Sequence, residues 1–536
     1  MLIVIFILLV SFFIVNTWKT KKSFHMLQQN LYNENNRYLK WIWKNKNQFF
    51  NVDVFIIIIA IVGVQWFSKI ERIQILLFLM MIGFLVLEWI GLQKNRKKDQ
   101  NKKKLVYTPR IKRLCMTVCL LYAIPVVLLG MYLENESLCW NLYLLLAIMT
   151  YLNPFVVLSA MLINTPMEKM VYFYYKNQAQ KKLKSMNYLK IIGITGSYGK
   201  TSSKNILSDI LNVKYNTLPT PRNLNTYNGL IMTVNNHLDK FTDIFIAEMG
   251  AYVKGEIKGL CRLIKPKYGI LTTIGTAHLE SFGSEENIQK GKFELIESLP
   301  KDGFAILNGD DPKQVNYELK NKVKTIWIGI ENKDVNIRAT NIKCSEKGTH
   351  FTLLYEGEKY PFQTKLLGKH NVYNILAAVA CGIEFGIPME DLQQAVSSVR
   401  PVEHRLELKP LGNFMMIDDA YNSNPVGAKS ALEVLGMMPG VKVVVTPGMI
   451  ELGEKEKEYN EEFGKQISEV ADYVVLIGEK QTKPIQKGLK EKGFDKEKII
   501  VLNDVRDAYP FIEELAMNKE VYALFENDLP DTYNES

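Results

Sequence analysis

The sequence predicts a chain of two characters: an N-terminal helical membrane region followed by α/β domains built on parallel sheets. Three observations carry this expectation. Long uncharged apolar runs are confined to the first third, at roughly 1–16, 52–67, 74–92, 114–133 and 138–163. From about residue 185 onward, short β-rich runs alternate with helical stretches, the pattern of strands joined by crossover helices. Between the two regimes lies GITGSYGKTSSKNIL, residues 193–207, a glycine-studded turn that follows an apolar run and opens a segment of helical spacing.

A chain of 536 residues is too long for one domain, and three are expected. The first, 1–184, reads as a membrane region. A spanning helix needs about 20 apolar residues, fewer where flanking side chains snorkel. The runs 74–92, 114–133 and 138–163 meet that length, and the first two are shorter. A signal peptide is the alternative for 1–16, but no small-residue cleavage site follows, only Thr17-Trp18-Lys19-Thr20-Lys21-Lys22. Loop charge sets the orientation. Residues 94–113 carry ten Lys or Arg and one Asp, which places that loop inside. The loop Glu134-Asn135-Glu136-Ser137 has no Lys or Arg and faces outside. Lys169, Lys176, Lys181, Lys182 and Lys184 follow the last run, so the rest of the chain is cytoplasmic. Five spans with the N-terminus outside satisfy these loops. The expected location is therefore the cell membrane, multi-pass, with both soluble domains in the cytoplasm.

The net charge of +10 comes largely from these flanks and suits membrane lipids with anionic headgroups rather than nucleic acid. The six cysteines form no CxxC pair and read as free thiols.

In the soluble part, strands are expected at 188–194, 242–248, 268–274, 303–307, 324–329, 414–419, 441–446, 472–477 and 498–502. Residues 336–366 alternate polar with apolar, as in Gly348-Thr-His-Phe-Thr-Leu-Leu-Tyr355, and read as a small antiparallel insertion. The chain returns to helix at 371–385, and Arg400-Pro401-Val402 reads as a linker. The domains are thus 185–400, with the insertion, and 401–536.

The loop explains itself as a phosphate grip. The strict template wants glycine at the position of Ile194, leaving Gly196-x-x-Gly199-Lys200-Thr201. Glycines let backbone N–H groups converge on phosphate oxygens, and the helix N-terminus adds partial positive charge. Lys200 then reaches the β- and γ-phosphates, and the Thr201 hydroxyl ligates Mg²⁺. Ser197 and Ser202 lie in the same turn. A glycine-rich turn without a ligand is the bland alternative.

Further motifs follow in order: Thr220-Pro-Arg-Asn223-Leu-Asn225, Ala247-Glu248-Met249-Gly250, Gly275-Thr276-Ala277-His278-Leu279-Glu280 and Gly291-Lys292-Phe293-Glu294. Then come Asn308-Gly309-Asp310-Asp311-Pro312, Gly368-Lys369-His370-Asn371, His404-Arg405-Leu406-Glu407, Asp418-Asp419-Ala420-Tyr421-Asn422-Ser423-Asn424-Pro425 and Gly448-Met449-Ile450-Glu451-Leu452-Gly453. As an ordered set over about 188–480, this resembles the Mur ligase family of ATP-dependent amide-forming enzymes, nearest its D-alanyl-D-alanine-adding branch. The resemblance implies a P-loop central domain and a Rossmann-like C-terminal domain.

It also implies the chemistry. ATP's γ-phosphoryl passes to a substrate carboxylate, and an amino acid or dipeptide amine attacks the acyl phosphate to give an amide, ADP and phosphate. Lys200, Glu248, His278 and Lys292 are the implied catalytic residues, with Thr201, Glu248, His278 and Lys292 around two Mg²⁺ ions. Lys292 is the position carbamylated in many members; the carbamate is an anion able to sit beside a metal, where a free ammonium is repelled. Gly196, Ser197, Gly199, Lys200, Thr201, Ser202, Asn371, Arg405 and Asp419 are the implied ATP-binding set. For Asn371 an N-cap role is the alternative. Asn223, Asn225, Tyr421, Asn422 and Asn424 are the implied substrate-binding set.

Two departures bear on the substrate. Soluble adding ligases begin with a domain that binds the uridine nucleotide, and apolar helices stand in its place. They end in a basic, glycine-containing loop, where Tyr522-Ala-Leu-Phe-Glu526-Asn527-Asp528-Leu529-Pro530-Asp531 ends in carboxylates. The acceptor is then a cell-wall precursor, UDP-linked or lipid-linked, or a surface polymer. A poly-γ-glutamate-type synthase and a catalytically silent membrane scaffold are the competing readings, and the sequence names no protein partner. A P-loop transporter ATPase lacks its signature motif here, and a lipid-precursor amidating ligase lacks its four-cysteine ribbon.

Overall fold

The computed structural model describes residues 2–30, 32, 36–45, 105–132, 136–420, 423–450, 452 and 455–527. The chain forms two compact units, Met1–Tyr174 and Tyr175–Ser536.

The first unit is helical among its described residues. Leu2–Gln29 and Arg37–Lys44 pack Phe24, Leu27, Tyr38 and Ile42 with Ile111, Leu114 and Val118 of helix Pro109–Met131. Thr108 caps that helix through Ile111 N, as a β-region threonine does. The expected run 114–133 lies almost wholly within this helix, the one described helix long and apolar enough to cross a membrane. It exposes Met116, Leu120, Ile124, Val127 and Met131, a stripe at helical spacing. The run 138–163 is not one straight span: an 87° bend separates the helix ending at Tyr151 from Asn153–Ser185. The run 1–16 is the head of the longer helix Leu2–Gln29, which continues through Lys19, Lys21 and Lys22. The runs 52–67 and 74–92 lie outside the described residues.

The second unit carries two sheets. The central one comprises β1 (Lys190–Thr195), β2 (Thr217–Pro219), β3 (Ile244–Glu248), β4 (Tyr268–Leu271), β5 (Phe304–Asn308), β6 (Lys324–Gly329), β7 (Ile337–Ser345), β8 (Gly348–Tyr355) and β9 (Glu358–Thr364). Its order is β2-β3-β1-β4-β5-β6-β7-β8-β9. Pairs from β2 through β7 are parallel, whereas β7-β8-β9 is an antiparallel meander that extends the same sheet. Parallel strands are covered on both faces and so read as unbroken apolar runs; β3 and β5 are buried at every residue.

Helices Lys200–Leu211 and Lys369–Glu384 share a core with this sheet. Ile206, Leu207, Ile210 and Leu211 of the first meet Val372, Ile375, Leu376 and Val379 of the second, all at most 1% exposed. Near their N-terminal ends, Ser203 Oγ donates to Asn374 Oδ1 at 2.7 Å. Two helix N-termini are thereby fixed side by side at the C-terminal edge of the strands, where α/β sheets bind ligands.

The second sheet comprises β10 (Glu407–Leu411), β11 (Phe414–Asp419), β12 (Val441–Thr446), β13 (Tyr473–Ile477), β14 (Ile499–Leu502) and β15 (Val521–Glu526), in the order β10-β11-β15-β12-β13-β14. Only β10 runs antiparallel to its neighbour. Short β2 and edge strand β10, half-buried and carrying Pro410, lack the apolar run that marks the other strands.

Candidate active site

The P-loop joins β1 to helix Lys200–Leu211. Its geometry demands glycine twice. Gly199 caps the helix at φ 78°, a left-handed conformation other residues adopt at a cost. A Cβ on Gly196 meets Thr272 Oγ1 at 1.9 Å. Lys200 is half-buried, with Nζ donating to the carbonyls of Gly196 (2.8 Å) and Ser197 (3.0 Å). Burial lowers its ammonium to about 8; Glu248 opposes this and Arg405 adds to it.

Glu248 ends β3 and is 1% exposed. Four polar groups converge on it. Thr201 Oγ1 lies 3.2 and 3.1 Å from its two oxygens, and Asn225 Nδ2 donates at 3.0 Å. Its backbone N donates to Thr220 Oγ1 at 3.1 Å. Lys204 Nζ completes the set at 3.0 Å, itself 1% exposed and also donating to Arg222 O at 2.7 Å. Lys204 was not singled out in the sequence. A lysine four residues along a helix reads as solvated, and only the fold turns it inward.

Lys292, on helix Glu285–Glu297, is also 1% exposed. Its Nζ lies 3.5 Å from Ala251 O and 5.4 Å from the Phe282 ring. Burial lowers its amine to about 7, and the charge of Lys200 pushes the same way. His278 heads the short helix Leu279–Phe282 at φ 60°, its ring centroid 4.4 Å from that of Tyr252.

A cleft runs from the P-loop to the second sheet. Gly199, Ser202, Ser203, Thr272, His370, Tyr373 and Asn374 line one side, and Arg405, Asp419 and Asn424 the other. His404 and Leu406 are left-handed at φ 59° and 48° on either side of Arg405, a strained linker of the kind found at functional sites. Leu406 N donates to Asp419 Oδ1 at 3.3 Å. Asn424 caps helix Pro425–Gly436 through Gly427 N at 2.9 Å.

The expected residues do not all converge. Asn371 does not line the cleft: its Nδ2 donates to Leu367 O at 2.9 Å, and Gly368, not Asn371, is the N-cap. His370, Tyr373 and Asn374 line the cleft instead. Asn374 repeats the asparagine three residues on, a spacing the sequence does display. His370 is half-buried, its Nδ1 atom is enclosed with no hydrogen-bond partner among the described residues, and desolvation, then the Arg405 charge, lowers it to about 4. Asn223 is exposed, and its carbonyl accepts from Asn225 N at 2.8 Å. Ser197 hydrogen-bonds inward, N to Thr273 O and Oγ to Gly275 O. Tyr421 and Asn422 lie outside the described residues.

Among the described residues no three His, Cys, Asp or Glu side chains gather into a metal cage. The Thr201–Glu248 pair nonetheless fits Mg²⁺, which takes one or two carboxylates with substrate phosphates and water. The P-loop, a glycine turn that opens helix Lys200–Leu211 with a half-buried lysine at its head, fits a triphosphate.

Comparisons with known proteins bear on the family. Residues 194–382 match the Mur ligase middle domain, and 404–525 match the Mur ligase glutamate ligase domain. The UDP-N-acetylmuramoyl-tripeptide–D-alanyl-D-alanine ligase of Bacillus subtilis (strain 168) is 35% identical over 332 residues, covering 61% of this chain and 70% of its own. The chain belongs to the Mur ligase family. The Escherichia coli (strain K12) enzyme of the same name is 32% identical over 316 residues, 58% of this chain and 70% of its own. Among solved structures, MurF from Acinetobacter baumannii superposes with TM-score 0.60 at 26% identity, over 66% of this chain and 77% of its own. MurF from Thermotoga maritima, solved with ADP, gives 0.59 at 27% identity, over 66% and 80%. This Mur ligase is an ATP-dependent amide ligase of cell-wall precursor synthesis that uses ATP and Mg²⁺, and its likeness favours the adding branch over a polymer synthase or a scaffold.

Proposed function

We propose that this Mur ligase joins D-alanyl-D-alanine to the peptide arm of a wall precursor, at the cytoplasmic face of a membrane in which its N-terminal region is embedded. The observation that carries the chemistry is the convergence of Thr201, Asn225 and Lys204 on the buried Glu248 beside the P-loop lysine. A bound Mg²⁺ supplies charge neutralisation along the phosphates. Thr201 and Glu248 offer its oxygen ligands, with His278 and Lys292 assigned to a second ion. Lys200 leaves the P-loop carbonyls to follow the transferring phosphoryl group. Above its lowered value Lys292 is a neutral amine able to add CO₂. That step forms an N–C bond, releases one of the amine's N–H protons to solvent and leaves a carbamate anion that would sit beside the metals. Arg405 and Asp419 close from the second sheet to exclude water from the acyl phosphate.

The division 1–184, 185–400 and 401–536 is kept as the functional one, and five spans with an outside N-terminus remain the topology proposed. A lipid-linked acceptor is supported by the apolar helices before Lys190 and the basic stretch 94–113. The test is mass spectrometry of products from the detergent-purified full chain, ATP, Mg²⁺ and D-alanyl-D-alanine, with UDP-linked and lipid-linked tripeptide compared. An amide on either acceptor with matching ADP supports the ligase. Preference for the lipid-linked one supports the tethering. No amide and no ADP with any acceptor overturns the proposal.

A further inference from the structure

The end of β15 holds a carboxyl group that the ligase reading does not use. Glu526 is fully buried, and Asp419 is its partner in the parallel register of β11 and β15. Ser423 Oγ donates to Glu526 Oε1 at 2.6 Å, and Asn527 N donates to Asp419 O at 3.2 Å. Glu526 Oε2 is buried and meets no donor among the described residues. An acceptor so placed costs the full desolvation of a polar group.

Charge counting shows what is missing. Asp418, next along β11, already pairs with the Lys409 ammonium (2.5 Å), and His404 Nδ1 lies 2.8 Å from the same oxygen. Among the described residues the charges that act on the pair are the two carboxyls themselves, the Asp418 carboxylate and one cation, the Arg405 guanidinium. One cation offsets one anion, and two buried carboxylates side by side do not both ionise. A hydrogen on Oε2 converts the orphan acceptor into a donor aimed at the neighbouring carboxylate.

We propose that Glu526 is a positioning residue, held as a neutral carboxylic acid whose proton bridges to the Asp419 carboxylate and fixes it facing the nucleotide cleft. Burial, then the charge of Asp419, pushes Glu526 well above the ordinary carboxylate range. Asp419 rises only to about 6, because Arg405 holds its anion against the effect of burial. In neutral solution the pair therefore shares one negative charge, which the Arg405 guanidinium holds on the Asp419 side. In alkaline solution Glu526 loses its proton, the two anions repel, and Asp419 turns from the cleft. The sequence shows only a strand ending in carboxylates.

This inference rests on the ligase reading for what Asp419 faces, so its test has two arms. Difference infrared spectroscopy of the full chain, neutral against alkaline, needs no substrate. The expected result is a protonated-carboxyl band that disappears on raising pH and that E526Q lacks. ATP kinetics form the second arm. E526L is expected to raise KM for ATP by about tenfold with little change in kcat, E526Q to restore it, and E526Q to lose an alkaline fall in kcat/KM that the wild type shows. A wild-type spectrum without a band assignable to Glu526, a wild-type KM in E526L, or an unchanged alkaline limb in E526Q each overturns the proposal. A wild type that binds ATP yet forms no amide defeats the ligase reading and leaves the infrared result to stand alone.

Discussion

Lys292 shows what burial does to a single lysine. Its folded value, about 7, lies far below the ordinary 10.5, so the unfolded chain binds more protons between those limits. This group's penalty is present in full below about pH 7 and is relieved as pH rises to 10.5. The same neutrality makes the amine reactive to CO₂. Activity of enzyme stripped of bicarbonate should recover on adding bicarbonate, more at pH 8 than at pH 6, and Lys292→Arg should remove the response. A bicarbonate effect that persists in Lys292→Arg contradicts the carbamate. Lys204 carries a different expectation. Removing one partner of a buried ion pair costs about 3–5 kcal/mol, so Lys204→Met should lower denaturant stability on that scale. Adding Glu248→Gln should return stability but not ADP release. Full stability in the single variant contradicts the pairing with Glu248.

At the scale of elements, the P-loop tests the phosphate grip. Gly196→Ala forces a Cβ into Thr272 Oγ1 at a φ of 153°, a clash expected to cost about 1–3 kcal/mol and to weaken ADP binding in calorimetry. Unchanged binding contradicts the cradle. Much of this level was legible beforehand. Parallel strands announce themselves because both faces are buried, and the loop because glycine answers a backbone demand. The meander over 337–364 showed as alternation because one side of each strand meets solvent. What escaped the sequence depends on contacts between distant segments. Lys204 is turned inward by the Glu248 carboxylate, Asn371 is diverted to Leu367, and Glu526 is paired by register with Asp419. The 87° bend before Asn153 also left no mark, since apolar residues continue on both sides of it.

Across the whole molecule, two properties meet: a ligase and an apolar N-terminal region. The exposed stripe on Pro109–Met131 predicts membrane residence. Each lysine at the centre of a spanning helix costs about 2.5–3.5 kcal/mol on insertion scales. Leu120→Lys with Ile124→Lys should therefore shift the chain from the alkaline-washed membrane pellet to the supernatant; wild-type retention in the pellet contradicts a spanning role for that helix. The ligase claim is tested most directly by following an oxygen atom. With heavy oxygen in the acceptor carboxylate, phosphoryl transfer to that carboxylate followed by amine attack predicts that the released phosphate carries the label, one atom for each amide formed. Amide formation with unlabelled phosphate contradicts an acyl phosphate, and with it the assignment of the P-loop, Glu248 and Lys292 to a common reaction.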